Sequence, residues 1–128
     1  MSQYSYHQIA QVTIYTIGKF KYNATILHIF RYKTDGELGI SKISSTVSTG
    51  KIQDDKIVVS LFGNTYCLKS VLFHLGVGVN SGHYTAIVNE GQDWYHFNDN
   101  QVTCKTTYKN RAHKSSENYV MCYNLQNQ

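Results

Sequence analysis

Proline is absent from all 128 residues, so no position is barred from donating its amide to a strand ladder. Cysteine is scarce. Cys67, Cys104 and Cys122 stand 37 and 18 residues apart, an odd number with no CxxC pair among them. The start of the chain, Met1 to Ala10, is polar and has no apolar signal core. These absences argue against a secreted disulfide framework and leave a structural zinc site without recognisable ligands. No apolar run reaches the ~20 residues that a membrane-spanning helix needs, so no membrane partner is expected. Charge of one sign is thin as well. Twelve Lys and Arg against eight Asp and Glu leave +4, and the tightest basic group, Lys105, Lys109, Arg111 and Lys114, reads equally well as a solvated loop. No aromatic-plus-basic motif has the spacing of an RNA-binding module, so nucleic acid is not an expected partner. The expectation is an intracellular chain, in the cytoplasm, the nucleus or both.

What is present favours sheet. A chain that is 41% hydrophobic and 16% charged is not intrinsically disordered, and its length suits one domain over residues 1–128. Eleven tyrosines add strand propensity. Val12 to Ile17 alternates weakly, Gly18 to Asn23 reads as a turn, and Ala24 to Tyr32 is apolar on both parities, as a strand covered on both faces is. Thr34 to Asp55, rich in Ser, Thr, Gly and Lys, offers one short strand near Leu38 to Ile43. Lys56 to Phe62 and Tyr66 to Leu75 read as strands joined by the turn Gly63-Asn64-Thr65. Gly76 to Gly82, with three glycines, reads as a flexible loop. His83 to Val88 and Trp94 to Phe97 form a predicted hairpin turning at Glu90 to Gln92. The polar stretch Cys104 to Glu117 has room for a short helix, and Tyr119 to Leu125 closes with clean alternation. No segment has a 3.6-residue period and no repeat is present. The predicted class is α+β, predominantly antiparallel β.

One pair of residues carries a chemical suggestion. Equal steps away from the hairpin turn place His83 near Asn98 or Asp99. An amide or carboxylate oxygen that accepts from one ring N–H fixes the tautomer and frees the other nitrogen to take a proton. On that spacing alone a structural histidine is the commoner reading. The residues around it change the balance. Tyr66-x-Leu68-x-Ser70-Val71-Leu72-x-His74-x-Gly76, then Gly82-His83-Tyr84-Thr85-Ala86, then Trp94-Tyr95-x-Phe97-Asn98-Asp99-x-x-Val102 resemble the histidine-box half of the ubiquitin-specific proteases, cysteine deubiquitinases with a papain-like, hand-shaped fold. Ile26-Leu27-His28-Ile29-Phe30-Arg31-Tyr32 upstream and Tyr119-Val120-Met121-Cys122-Tyr123 downstream resemble two further strands of that family. The five blocks stand in the family's order and span about residues 24 to 125.

The resemblance implies a role for each matching residue. His83 matches the general base, Asn98 the third triad position, and Asp99 a following acid that supports or shares that position. His74 and the loop Val77 to Ser81 match a segment covering the ubiquitin tail, and Gly82 and Tyr84 would line the channel for its Gly-Gly end. Ubiquitin or a ubiquitin conjugate is the implied partner, and no cofactor is implied. The fold implied is the palm of the hand.

The family's cysteine box, its helical thumb and its paired zinc-finger cysteines have no counterpart in the sequence. Gly63-Asn64-Thr65-Tyr66-Cys67 imitates a cysteine box with its last two letters exchanged, but Cys67 falls inside a strand block, without the helix N-terminus that lowers a thiol pKa. Cys122 reads as a core thiol, and nothing near Cys104 activates it. His7, His28, His96 and His113 have no partner pattern, and the spacing of His74, His83 and His96 matches no zinc signature. The leading expectation is the C-terminal part of a deubiquitinase domain, supplying His83, Asn98 and Asp99, inert alone and active only with a chain that provides the cysteine box. The alternative is a non-catalytic fragment that binds ubiquitin or a deubiquitinase.

Overall fold

A computed structural model describes residues 11–17, 23–34, 40–76 and 82–126. The first ten residues, the predicted turn after Ile17, most of the segment before Ile40 and the loop Val77 to Ser81 lie outside the described residues, as does His7.

The central element is the long strand β8, Asn64–Leu75. One of its edges runs the length of the closing strand β13, Asn118–Leu125. Its other edge is shared. β7, Lys56–Leu61, pairs with the first part of β8, and β9, His83–Glu90, pairs with the second. Beyond β13 lie β2, Ala24–Phe30, and β1, Gln11–Ile17. Beyond β9 lie β10, Asp93–Asn98, and β11, Gln101–Cys104. Every pairing is antiparallel, and β6, Lys51–Gln53, adds to the outside of β7. Two further two-stranded sheets lie outside it: β3, Tyr32–Thr34, with β4, Ile40–Lys42, and β5, Val47–Ser48, with β12, Lys114–Ser115.

The apolar pattern of β8 needs a correction of parity to bury both ends, because side chains alternate faces along a strand. The register slips at Lys69, between the pairs Tyr123–Leu68 and Cys122–Ser70. This one-residue bulge lets Tyr66, Leu68, Val71 and Phe73 all enter the core, with Met121 and Tyr123 of β13, Ile29 of β2, Ile87 of β9 and Trp94 of β10. A second slip at Tyr119 separates Asn118, which is fully buried, from the rest of β13.

The helix α1, Tyr108–His113, covers the same face, burying Ala112 and laying Arg111 over the Phe73 ring, 4.7 Å from its centroid. Six residues are too few to be helical unaided. No side chain caps the start at Thr107; the end is held instead by Thr49, whose hydroxyl donates to the carbonyls of Ala112 and His113 at 2.9 and 3.1 Å. Tyr123 then donates to the Thr49 carbonyl at 2.6 Å, and burial raises its phenol pKa. The opposite sheet face is left uncovered, with Tyr15, Phe30, Tyr84, Phe97 and Val102 exposed on it.

The mainly antiparallel class with one short helix among the described residues is as expected; the main differences are local. The predicted strand Ala24 to Tyr32 breaks at Arg31, the turn before β8 sits at Phe62-Gly63 and not at Gly63 to Thr65, and β5, β6, β11 and β12 were not foreseen. Arg31 is the physical reason for the first. Its side chain is 1% exposed and its guanidinium donates to the carbonyls of Asn118 at 2.7 Å, Ile43 at 3.0 Å, Ser45 at 2.9 Å and Ser115 at 3.4 Å, and to the Asn118 side-chain oxygen. Desolvation lowers its pKa, partly offset by the Glu117 charge. Arg31→Ala strands these acceptors without donors, and each orphaned buried group costs roughly 1–3 kcal/mol. A loss of at least about 3 kcal/mol is expected from the urea midpoint, against less than about 0.5 kcal/mol for the exposed Lys56→Ala.

Candidate functional site

The predicted pair does meet. β10 is in register with β9 such that Phe97 faces Ala86, which puts Asn98 one step further, across from Thr85. His83 shares the face of Thr85, two residues along, so the imidazole and the amide are diagonal neighbours and not directly opposed. His83 Nε2 lies 2.6 Å from Asn98 Oδ1. An amide oxygen only accepts, so Nε2 carries the hydrogen, and in the neutral ring Nδ1 keeps a lone pair able to take a proton. Both residues are half-buried, close enough to the surface for a reacting group to arrive.

Asp99 is placed differently. It occupies the Asp99-Asn100 turn with φ of 53°, exposed, and among the described residues its carboxylate makes no hydrogen bond or ion pair. The sequence spacing left Asn98 and Asp99 as alternatives; the geometry brings Asn98 to the ring.

The residues expected to meet a peptide tail are stacked in depth. His74 is 3% exposed and lies under Tyr84, ring centroids 4.9 Å apart, with Tyr119 packed on both. Its Nδ1 is 3.1 Å from the Tyr32 hydroxyl. Burial, then the neighbouring Tyr84 and Tyr119, raise the Tyr32 pKa. Tyr84 is 53% exposed, so what His74 offers a ligand passes through Tyr84 or Gly82. Gly82 has a reason of its own to be glycine. Its φ is +134°, and a Cβ there would sit 2.6 Å from His74 Nε2 and closer still to the Leu75 carbonyl oxygen. Tyr32 and Tyr119 were not singled out from sequence, since tyrosine in a strand carries no signal of what it touches.

No thiol is near. Cys67 is on β8 eight residues before Leu75, the partner of His83, about 26 Å away along the strand. Cys104 and Cys122 stand at the level of Val88, five residues from His83, about 16 Å along β9. Cys122 is half-buried on the uncovered face, not in the core as expected. Cys67 and Cys104 line a separate cavity of about 480 Å³ with Trp94 and Lys69, at the hairpin end of β9. Among the described residues no His, Cys, Asp and Glu side chains group as a metal site, and no helix is long and apolar enough to cross a membrane.

The family model for ubiquitin carboxyl-terminal hydrolases matches residues 4–123. Human ubiquitin carboxyl-terminal hydrolase 3 is 53% identical over 38 residues, 30% of this chain and 7% of that protein. Ubiquitin carboxyl-terminal hydrolase 48 of Rattus norvegicus is 35% identical over 81 residues, 59% of this chain and 8% of that one. A chain in the structure of the Ubp8-Sgf11-Sgf73-Sus1 SAGA DUB module is similar in fold, with a TM-score of 0.64 and 18% identity over 90% of this chain and 29% of that chain. The SAGA DUB module bound to monoubiquitin gives 0.52 and 17%, over 91% and 31%. The chain thus spans less than a third of the solved relatives it superposes on.

Two glycines separate crowding from backbone conformation. Gly91, at φ +65°, has open space around it, whereas Gly82 has none. Gly91→Ala is expected to cost about 1–2 kcal/mol of unfolding free energy from the left-handed backbone alone, and Gly82→Ala at least about 1 kcal/mol more from the clash with His74 and Leu75. Paired urea titrations measure both.

Proposed function

The chain belongs to the ubiquitin carboxyl-terminal hydrolase family, and on that premise we propose that it is the base-bearing C-terminal part of a cysteine-type deubiquitinase domain. The observation that carries this reading is the 2.6 Å contact between His83 Nε2 and Asn98 Oδ1, an oriented base standing beside a strand entrance. It is supported by the ubiquitin bound in a solved structure of similar fold.

The chemistry follows from the tautomer. Asn98 holds the Nε2 hydrogen, and Nδ1 removes the proton from a cysteine thiol supplied by another polypeptide segment. The thiolate adds to the carbonyl carbon at the end of ubiquitin, and the imidazolium returns its proton to the departing lysine amine as the C–N bond breaks. A thioester forms. Water, deprotonated by the same nitrogen, then cleaves it and restores the thiol. Asn98 keeps its hydrogen bond throughout and so holds the ring in one orientation, while Asp99 follows it in the turn. Tyr84 and Gly82 line the approach of the Gly-Gly tail, with His74 beneath as their support. Alone, the chain is inert in this reading, because its three thiols stand about 16 to 26 Å along the strands from His83.

The test is intact-mass labelling with a thiol-reactive ubiquitin probe. The folded chain is expected to give no adduct, and neither are its Cys67→Ala, Cys104→Ala and Cys122→Ala variants. A cysteine-box polypeptide added to it is expected to become labelled, and to lose at least about 10³-fold in rate when the present chain carries His83→Ala. An adduct on the chain alone that vanishes with Cys67→Ala and with His83→Ala would overturn this reading and make the chain a minimal enzyme. Ubiquitin binding that is indifferent to His83→Ala, with no complemented activity, would instead favour a binding role.

A further inference from the structure

β13 ends its pairing with β8 at the couple Asn118–Phe73, yet β8 continues to Leu75. Past that point one edge of β8 has lost its neighbour. Along an antiparallel strand each residue directs its N–H and C=O to the same side, and alternate residues serve opposite neighbours. The His74 amide still donates on the vacated side, to the Glu117 carbonyl at 3.0 Å. The carbonyls of His74 and Gly76 therefore face the same gap, with no strand among the described residues to meet them.

A single ammonium fills it. Lys42 Nζ donates to the His74 carbonyl and to the Gly76 carbonyl, each at 2.7 Å. Lys42 is directly opposite Tyr32 in the β3–β4 register, and Tyr32 is the residue whose hydroxyl meets the His74 ring. One cross-strand pair thus grips His74 twice, at its backbone and at its imidazole. The residue between the two gripped carbonyls, Leu75, is the ladder partner of His83. Glu117 and Arg31 are the charged groups facing the Lys42 ammonium, which burial renders easier to deprotonate.

We infer that Lys42, assisted by Tyr32, is a positioning residue for His83: it stands in for the missing strand, keeps residues 74–76 extended, and so holds the first residue of β9 where its ring meets Asn98. The inference rests on the proposed role of His83 only for its catalytic meaning. The geometric claim is readable without any turnover.

The test uses the full chain and nitrogen-resolved NMR of the histidine rings, together with amide exchange. In the wild type His83 is expected as the Nε2–H tautomer with a protected amide. Lys42→Met keeps the stem and removes the donor; it is expected to mix the His83 tautomers and speed amide exchange at Leu75 and His83 by about tenfold or more, leaving Val71 and Met121 in the core unchanged. Lys42→Arg is expected to restore the wild-type pattern. Tyr32→Phe is the milder probe and should shift His83 in the same direction by less. An unchanged His83 in Lys42→Met would overturn the inference. So would equal acceleration across the whole sheet, or outright unfolding, since Lys42 would then support the fold at large and not the base. Complemented activity with the cysteine-box polypeptide separates the two readings. If the wild type shows none while Lys42→Met still moves His83, the catalytic proposal fails and the positioning role stands.

Discussion

A guanidinium with no carboxylate in contact among the described residues organises this fold. Arg31 is buried among acceptors drawn from three separate stretches of chain: Ile43 and Ser45 after β4, Ser115 in β12, and Asn118 at the start of β13. A buried cation is costly, and neutral carbonyl dipoles compensate it only if several are aimed at it together. That requirement explains several local features at once. The chain breaks between β2 and β3 so that the Arg31 side chain can turn inward. The segment from Ile43 to Val47 follows a path that ladder pairing alone would not give it. Asn118 is buried and bonded on both sides, accepting from Arg31 and donating to the Val47 carbonyl at 2.9 Å. Its burial in turn coincides with the register slip that sends Tyr119 out to the aromatic cluster over His74.

The site inherits its geometry from this arrangement. β13 ends where Asn118 meets Arg31, and that ending leaves the His74 carbonyl of β8 and the Gly76 carbonyl just past it to Lys42. His83 is then placed by ordinary ladder pairing with Leu75, and Asn98 by the register of the β9–β10 hairpin. No unusual backbone is needed at either catalytic candidate. The strained positions lie beside them: Gly82, confined by the Leu75 carbonyl and the His74 ring, and Asp99, left-handed in the turn after Asn98. Strain flanking a site is a way of ending two strands sharply while keeping their last residues in register.

Much of this was legible in the sequence, and unevenly so. The strands with strong apolar runs, β2, β8, β9, β10 and β13, were readable because burial and β-propensity agree along them. β5, β6 and β12 are two or three residues long and largely polar, and their existence depends on partners distant in sequence. The spacing of His83 and Asn98 across the hairpin was readable to within one residue. Spacing alone did not choose between Asn98 and Asp99, although the family resemblance favoured Asn98, because the choice turns on which residue stays in the strand and which enters the left-handed turn. Lys42 was invisible for a further reason: it lies in the Ser- and Thr-rich stretch that carries no periodic pattern and acts on carbonyls, which every residue has, while Tyr32, readable as a strand residue, carries no sign that its hydroxyl meets the His74 ring.

An oriented imidazole is inexpensive for this fold, and that bears on what it means. The Nε2 contact to Asn98 satisfies one nitrogen and leaves the other open, at the half-buried end of β9 beside the exposed Tyr84. In the role proposed for it His83 needs a proton to remove, and Cys67, Cys104 and Cys122 are held by their ladders about 16 to 26 Å along the strands from it. No side-chain rotation closes such a gap; only a different register would. The uncovered sheet face runs up to the same end, carrying Phe30, Tyr84 and Phe97, while the opposite face is closed by α1 and Thr49. His83 and Asn98 lie on the covered face, in line with Thr85 and Ile87, while Tyr84 beside His83 turns to the uncovered one, so the pair stands at the end of the covered face and not on the open one.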